Sequence, residues 1–219
     1  MRVGRPAASM SIGRRPRRGR RHSPQWCYLW PDGGRRHGTA RVDEGVSMAA
    51  QPRHVVVMGI SGSGKTTIAT ALAERLGWTF AEADEFHPEA NIAKMSAGTP
   101  LTDDDRWPWL EAMRDWMGGE ALAGRSTVVT CSALKRTYRD LLDGAEGDVR
   151  FVHLSADTGL ILERMETRSG HFMPASLLPS QISTLEPLEA DERGFALENT
   201  GTPDEVTTRI VDELGLVAS

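Results

Sequence analysis

Residues 59–66 follow the pattern Gly-x-x-x-x-Gly-Lys-Thr, in which glycines, a lysine and a hydroxyl are spaced to hold phosphate groups. The glycines let backbone N–H groups turn inward around phosphate oxygens, and a helix that starts at the loop adds its positive dipole. Lys65 is expected to reach the β- and γ-phosphates, and the Thr66 hydroxyl to bind the Mg²⁺ between them. The pattern predicts a site for ATP and Mg²⁺, built from Gly59, Ser61, Gly62, Ser63, Gly64, Lys65, Thr66 and Thr67.

The segments on either side of this loop have the periodicity that the motif requires. Residues 54–60 form a short apolar, β-branched run, which indicates a strand buried on both faces of a parallel sheet. After the loop, apolar residues collect on one helical face, namely Ile68, Ala69, Leu72, Ala73 and Leu76. Gly77 is placed to end that helix. The alternative, a chance glycine-rich turn, does not explain why strand, loop and helix occur in this order.

A carboxylate, Asp84, follows the next predicted strand. Residues 78–84 are typical of a strand that ends in an acid, and Pro88 fits the first turn of a new helix. Because ligands bind at the carboxyl edge of open α/β sheets, Asp84 is predicted to face both Mg²⁺ and the hydroxyl that attacks the γ-phosphate. A helix-capping role for Asp84 stays open as the alternative.

Further apolar runs predict the remainder of the sheet. Residues 126–131 and 149–154 are typical of buried strands, 195–198 of a fifth strand, and 204–214 of a terminal helix. The fold class predicted is α/β, a three-layer P-loop NTPase fold with a parallel five-stranded sheet and helices on both faces.

The bulk composition suits one such domain. The chain has 219 residues, of which 39% are hydrophobic and 26% charged. Cys27 and Cys131 are too few for a disulfide framework or a zinc site, and no apolar run approaches the ~18 residues that span a bilayer. We therefore expect a cytoplasmic protein without a membrane partner. A homodimer is compatible with the sequence, which does not determine the oligomeric state.

The first fifty residues differ from the rest, since they hold eleven arginines and only three acidic residues. We expect residues 1–50 to be a disordered extension and residues 51–219 to form a single P-loop domain. Two interpretations of the extension stay open. It is either an arm that binds nucleic acid by neutralising phosphates, or an upstream stretch that is not translated because synthesis starts at Met48. The second is favoured, and no specific nucleic-acid partner is expected.

The molecule that accepts the phosphoryl group is indicated by polar residues between 84 and 110 and by three later segments. The first set comprises Phe86-His87-Pro88, Asn91, Lys94-Met95, Gly98, Pro100-Leu101, Asp103, Asp105-Arg106 and Pro108-Trp109-Leu110. The later segments are Cys131-Ser132-Ala133-Leu134-Lys135 with Tyr138-Arg139-Asp140, His171-Phe172-Met173 with Ser180-Gln181, and Leu185-Glu186-Pro187 with Asp191-Glu192. Through them, in register over about residues 54–214, the chain resembles the bacterial-type gluconate kinases, which are related to shikimate and nucleoside-monophosphate kinases. Glu82-Ala83 and Glu85 depart from the family pattern beside Asp84, and an extra acid there is able to alter the affinity for Mg²⁺.

The resemblance implies transfer of the γ-phosphoryl group of ATP to D-gluconate, giving 6-phospho-D-gluconate and ADP. Gluconate is an anionic polyol, so its site should combine cations for the carboxylate with hydrogen-bonding side chains for the hydroxyls. Asp84 is expected to act as the base or to orient the attacking hydroxyl. Arg106, Lys94 and Lys135 are candidate partners of the carboxylate, and His87 is a candidate hydroxyl ligand.

Several of these residues have structural interpretations that stay open. Lys94 is equally well explained as a solvated helix residue, and Asp103 and Asp105 as caps of the following helix. Trp107 and Trp109 are expected to pack rather than to act as stacking platforms.

A predicted helix over 158–167 supplies two arginines one turn apart. In the kinases that the chain resembles, such arginines guard a mobile lid, here about residues 168–180. Arg168 is expected to contact the transferring phosphoryl group, Arg164 to stack on the base or touch phosphate, and His171 to contribute to the substrate site beside the hinge. Surface charge is the alternative for the arginine pair.

Two rival functions share parts of this pattern. A shikimate-kinase-like or nucleoside-monophosphate kinase has the same sheet and lid but should differ between residues 84 and 110. An NTP-dependent nucleic-acid-binding regulator would use the arginine-rich extension, with the phosphate loop as a switch.

Overall fold

The computed structural model describes residues 51–157, 159, 161 and 175–217, all of which lie in the compact unit Ser47–Ser219. Its centre is a five-stranded sheet in which every neighbouring pair of strands is parallel, in the order β2-β3-β1-β4-β5. The predicted parallel five-stranded sheet is confirmed. The strands are β1 Arg53–Met58, β2 Thr79–Glu82, β3 Thr127–Cys131, β4 Asp148–Ser155 and β5 Gly194–Glu198.

Sequence signals mark an end of two of the α-helices in the described residues. The first helix ends at Gly77, which adopts φ 69°, and the third begins with a capping box between Thr102 and Asp105. The helices are α1 Lys65–Leu76, α2 Glu89–Ser96, α3 Asp103–Leu122, α4 Arg136–Asp143, α5 Leu178–Thr184 and α6 Pro203–Leu214. Among these described helices, none is both long and apolar enough to cross a bilayer.

Apolar residues cover both faces of the sheet, as predicted for parallel strands. On one face, Val56 and Met58 of β1 pack in a cluster with Leu110 and Met113 of α3. On the other face, Val55 and Val57 join a cluster with residues of α1 and α6. The predicted buried face of α1 is entirely buried there, namely Ile68, Ala69, Leu72, Ala73 and Leu76.

The structure corrects one local expectation, the position of Asp84. Strand β2 ends at Glu82, and Asp84 lies in a 3₁₀ turn over Ala83–Phe86 rather than at the end of the strand. The strand ends because side chains form the hydrogen bonds of the next backbone N–H and C=O groups. The Ala83 N–H donates to Thr130 Oγ1 (3.3 Å), and the Ala83 carbonyl accepts from Trp109 Nε1 (2.7 Å).

A buried ion pair fixes the chain after α5 to the carboxyl edge of the sheet. Arg139 of α4 pairs with Glu192, and their side chains are 1% and 5% exposed. The same guanidinium donates to the carbonyls of Ala133, Glu186 and Pro187. Because every one of these partners is backbone or carboxylate oxygen, the buried charge is compensated, and the loop after β3 is held in place.

Candidate active site

A cavity opens at the carboxyl edge of the sheet, between the phosphate loop and the segments that follow β2 and β3. Its floor includes Thr130, Cys131 and Ser132, and α5 closes one side. Cys131 is buried, and burial raises the pKa of its thiol to about 12, so it is an inert core residue. The residues that line the cavity and were predicted to act are Ser61, Gly62, Gly64, Lys65, Thr66, Asp84, His87 and Arg106.

The phosphate loop has the backbone that its glycines were expected to provide. Gly59 adopts φ +137°, and a Cβ there would lie 2.5 Å from the Leu154 carbonyl oxygen, so no side chain fits. Gly64 precedes α1 with φ 93°, and no side chain caps the helix. The first amides of α1 are therefore presented to the cavity in the way that anion sites at helix N-termini require.

Side chains hold this loop in shape from inside and outside. Lys65 Nζ donates to the Ile60 carbonyl at 3.0 Å, and Asn199 Nδ2 donates to the Ser63 carbonyl at 2.7 Å. Gly59 and Ser63 lie beneath the loop surface and do not line the cavity, and Thr67 is exposed outside it.

Two carboxylates, Glu82 and Asp84, line the cavity beside Thr66. One oxygen of Glu82 accepts a hydrogen bond from Thr130 Oγ1. Within the part of the chain that the structure describes, the other oxygen, Oε2, is buried and has no hydrogen-bond partner. A buried carboxylate oxygen without a donor is suited to a cation. From the sequence, Glu82 stands out only as a departure from a family pattern, although its spacing of two residues from Asp84 is the signal that could have identified it.

These oxygen ligands fit Mg²⁺. Magnesium keeps several waters and is bound through one or two carboxylates together with substrate phosphates. The carboxylates of Glu82 and Asp84 and the hydroxyl of Thr66 are such oxygen donors, and all three residues line the same cavity.

His87 is held as a neutral, oriented ring. It stacks on Trp109 with ring centroids 4.2 Å apart and an interplanar angle of 16°. Burial, with a smaller contribution from the Arg106 charge, lowers the pKa of His87 to about 4. Trp109 is buried, as the packing interpretation predicted, and its flat contact with His87 also sets the orientation of that ring.

The three candidate cations are not equivalent in the structure. Only Arg106 lines the cavity; its side chain is 17% exposed and its guanidinium lies 3.3 Å from the Tyr138 hydroxyl. Lys135 Nζ lies 2.8 Å and 2.9 Å from the two carboxylate oxygens of Asp103, and Lys94 Nζ lies 2.6 Å from Asp105. Neither lysine lines the cavity.

Asp103 and Asp105, both in the first turn of α3, make different contacts. Asp105 forms the capping box with Thr102, so the capping interpretation of Asp105 is confirmed, and it also pairs with Lys94. Asp103 instead accepts hydrogen bonds from Lys135 and Tyr138, which hold the pKa of its carboxyl below the usual value. Sequence reasoning could not separate these roles because both residues lie in the first turn of one helix.

Three predicted residues, Arg164, Arg168 and His171, lie outside the described residues, as does the part of the predicted lid before Ala175. The described part of the lid region contributes cavity residues to which the sequence gave no individual role. Leu177, Ser180 and Gln181 line the cavity from α5 and the 3₁₀ turn before it.

The protonation of His87 gives a measurable pH dependence. Since the folded pKa of about 4 lies below the ordinary 6.5, the unfolded chain binds more protons between these pH values. The stability that neutral His87 contributes is therefore present above about pH 6.5 and is lost as pH falls toward about 4. We expect the free energy of unfolding in urea to fall less between about pH 7 and about pH 5 for His87→Gln than for the wild type.

His54 is the internal reference for that experiment. Its pKa is also lowered by burial, it lies at the opposite edge of the sheet in β1, and it is retained in both proteins. An NMR titration midpoint of the His87 imidazole near its ordinary value would contradict the burial argument.

Comparisons with known proteins show which proteins this chain is similar to. A family profile described as an AAA domain matches residues 55–188. A gluconokinase of Gluconobacter oxydans (strain 621H) is 51% identical over 164 residues, which are 75% of this chain and 92% of that protein. The unliganded crystal structure of a sugar kinase from Janibacter sp. HTCC2649 is 54% identical, with a TM-score of 0.73 over 76% of this chain and 96% of that one. The crystal structure of a gluconokinase from Sinorhizobium meliloti 1021 is 43% identical, with a TM-score of 0.63 over 76% of this chain and 97% of that one.

Proposed function

The chain belongs to the gluconokinase family of P-loop kinases, and from this premise we propose how its own residues transfer the γ-phosphoryl group of ATP to D-gluconate. The products are 6-phospho-D-gluconate and ADP. The observation that carries the assignment is the meeting of three groups in one cavity: the phosphate loop, the Asp84 carboxylate and the Arg106 guanidinium.

ATP binds with its phosphates in the loop of residues 59–66. Backbone amides at the start of α1 and the Lys65 ammonium compensate the phosphate charge. The ammonium has three N–H donors, and the Ile60 carbonyl is a neutral acceptor, so an anionic phosphate oxygen is the stronger partner for Lys65.

Thr66, Asp84 and Glu82 are the residues that would hold Mg²⁺, with the unpartnered Glu82 oxygen as an acceptor toward the ion or its waters. Bound there, the ion would neutralise charge on the β- and γ-phosphate oxygens.

Asp84 accepts the proton of the attacking gluconate hydroxyl. Its place in the 3₁₀ turn after β2 puts the carboxylate in the cavity next to the phosphate loop, where that hydroxyl must lie for in-line attack. His87, held neutral and stacked on Trp109, offers a ring nitrogen to another hydroxyl of the polyol without adding charge.

Arg106 binds the gluconate carboxylate. Lys94 and Lys135 pair with Asp105 and Asp103 outside the cavity. Arg106 Nη1 also lies 3.7 Å from Asp103, but of these three cations Arg106 alone lines the cavity. Tyr138 accepts from Arg106 and donates to Asp103, so the guanidinium is oriented before the substrate arrives. A preoriented arginine fork suits a carboxylate better than a flexible lysine does.

This assignment predicts a change of selectivity in Arg106→Gln. We expect the kcat/KM for gluconate to fall about 10-fold to 100-fold, because a charge-assisted hydrogen bond to the carboxylate is lost. The kcat/KM for glucitol, a neutral polyol of the same length, should change much less. The ratio of the two values in steady-state assays is the measurement, and Lys94→Gln is the control that should keep the wild-type ratio. An unchanged ratio in Arg106→Gln would assign the carboxylate to another group.

The reaction itself is tested by a panel of acceptors assayed for ADP formation. D-gluconate, shikimate and nucleoside monophosphates are compared at equal concentrations, with and without Mg²⁺. Gluconate is expected to be the preferred acceptor and the metal to be required. Shikimate turnover far above gluconate turnover would overthrow the assignment.

We place this reaction in the cytoplasm and in residues 51–219, with the arginine-rich residues 1–50 taking no part in it. A chain that starts at Met48 should match the full chain in gluconate turnover. Salt-sensitive DNA or RNA binding by the full chain alone would instead support the regulator alternative.

A further inference from the structure

Gln181 joins α5 to the phosphate loop by two hydrogen bonds. Its amide oxygen accepts from the Ser61 backbone N–H at 2.7 Å, and its amide nitrogen donates to Ser61 Oγ at 3.2 Å. The side chain is only 9% exposed, so this contact is a defined part of the cavity wall rather than a surface encounter.

The first of these bonds uses a group that the loop needs for its ligand. A phosphate loop binds by pointing backbone N–H groups at phosphate oxygens. In the structure the Ser61 N–H points at an amide oxygen, which would repel a phosphate oxygen brought to the same donor. Phosphate binding at Ser61 therefore requires the Gln181 oxygen to move away, or the amide to turn so that its NH₂ group faces the phosphate.

Movement of Gln181 would also change the acceptor side of the cavity. Leu177, just before α5, packs in a buried cluster with Met95 and Leu101, and all three line the cavity. Ser180 of α5 lines it as well. A shift of α5 away from Ser61 thus changes the wall against which the acceptor lies.

We propose that Gln181 is a positioning residue that competes with a nucleotide phosphate for the Ser61 amide, so that ATP binding releases α5 and adjusts the acceptor side of the cavity. The part that concerns the acceptor rests on the function proposed above, whereas the competition at Ser61 concerns ATP alone. Displacing Gln181 costs free energy, so the free protein binds phosphate with a lower affinity than it would without this contact.

The competition is tested with Gln181→Met, which keeps the length of the side chain and removes its hydrogen bonds. Calorimetry with a non-hydrolysable ATP analogue and Mg²⁺, without any acceptor, should show a Kd about twofold to tenfold lower than that of the wild type, the range expected for one hydrogen bond. A side chain that merely supports the loop would give the opposite sign on removal. An unchanged or higher Kd therefore overturns the proposal.

Two further variants control the measurement. Ile182→Ala, next along α5 and 45% exposed, should leave the Kd unchanged. Gln181→Asn keeps the amide but is one methylene too short to reach Ser61, and it takes the place of the methionine variant if that protein does not fold. It should also bind the analogue more tightly, and weaker binding counts against the proposal in the same way.

Coupling between Gln181 and the acceptor side of the cavity is measured by repeating the same titrations in the presence of gluconate. The ratio of the analogue Kd with and without gluconate should differ from one in the wild type and approach one in Gln181→Met. A wild-type ratio of one overturns the coupling if gluconate is turned over in the acceptor panel, and it reflects failure of the proposed function if gluconate is not turned over there. The tighter binding by the variant tests the competition at Ser61 in both cases. If the ratio differs from one by the same factor in the wild type and in Gln181→Met, the proposed coupling through Gln181 is wrong.

Discussion

Asp84→Asn is expected to lower kcat for gluconate phosphorylation by about 10²-fold to 10⁴-fold, the usual contribution of a positioned general base. Asparagine has the same shape and still fits the 3₁₀ turn after β2, but it cannot take up the proton of the attacking hydroxyl. Binding of a non-hydrolysable ATP analogue should persist because the phosphate loop is intact. Steady-state kinetics and calorimetry on the same protein separate the two effects.

Glu85→Gln is the matched control for this experiment. Glu85 lies in the same 3₁₀ turn, is exposed, and does not line the cavity, so the change removes one charge near Asp84 without touching the reacting groups. It should keep kcat within about twofold of the wild type, as surface substitutions generally do. A near-normal kcat in Asp84→Asn would remove Asp84 from the catalytic role, and an equal loss in both variants would point to general electrostatics instead.

Lys65→Met should lower turnover and nucleotide affinity together. The ammonium is the cation of the phosphate loop that lines the cavity, and the loss of one preorganised donor to a developing charge costs about 10²-fold to 10³-fold in kcat. Affinity for the ATP analogue should fall by about tenfold or more, because a charge-assisted hydrogen bond to phosphate is lost. This joint loss distinguishes Lys65 from Asp84, whose replacement should spare ATP binding.

Lys94→Met serves as the comparison for Lys65. Its ammonium is 2.6 Å from Asp105, its side chain is 41% exposed, and it lies outside the cavity wall. The analogue should bind to it with the affinity of the wild type. If Lys65→Met were to bind the analogue normally and lose only kcat, Lys65 would be a group that acts on the transition state alone.

The donor half of the site could be predicted from sequence because each of its signals is local. Glycines at 59, 62 and 64 adopt positive φ values that side chains disfavour, and the apolar face of α1 repeats with the helical period. The strand, the loop and the helix are contiguous, so no distant contact had to be known.

The error at Asp84 has a long-range cause. The run that predicts a strand continues to Asp84, but Thr130 and Trp109 take the backbone hydrogen bonds of Ala83, and the chain turns there. These partners are 47 and 26 residues away in sequence, and no pattern within residues 78–84 contains them.

By itself, the sequence determined the phosphate loop, the parallel sheet and the helices that flank it, because backbone propensity and hydrophobic period depend on neighbouring residues. The set of residues available to an anionic acceptor came from the resemblance to gluconate kinases. The tertiary structure decided which members of that set meet. Of the three candidate cations it placed only Arg106 in the cavity wall. It also buried a Glu82 oxygen without a donor, and it brought Gln181 to Ser61 across 120 positions of the chain. Such contacts depend on packing between distant elements, where any of several cations or amides of similar propensity can satisfy the sequence pattern and only geometry selects one.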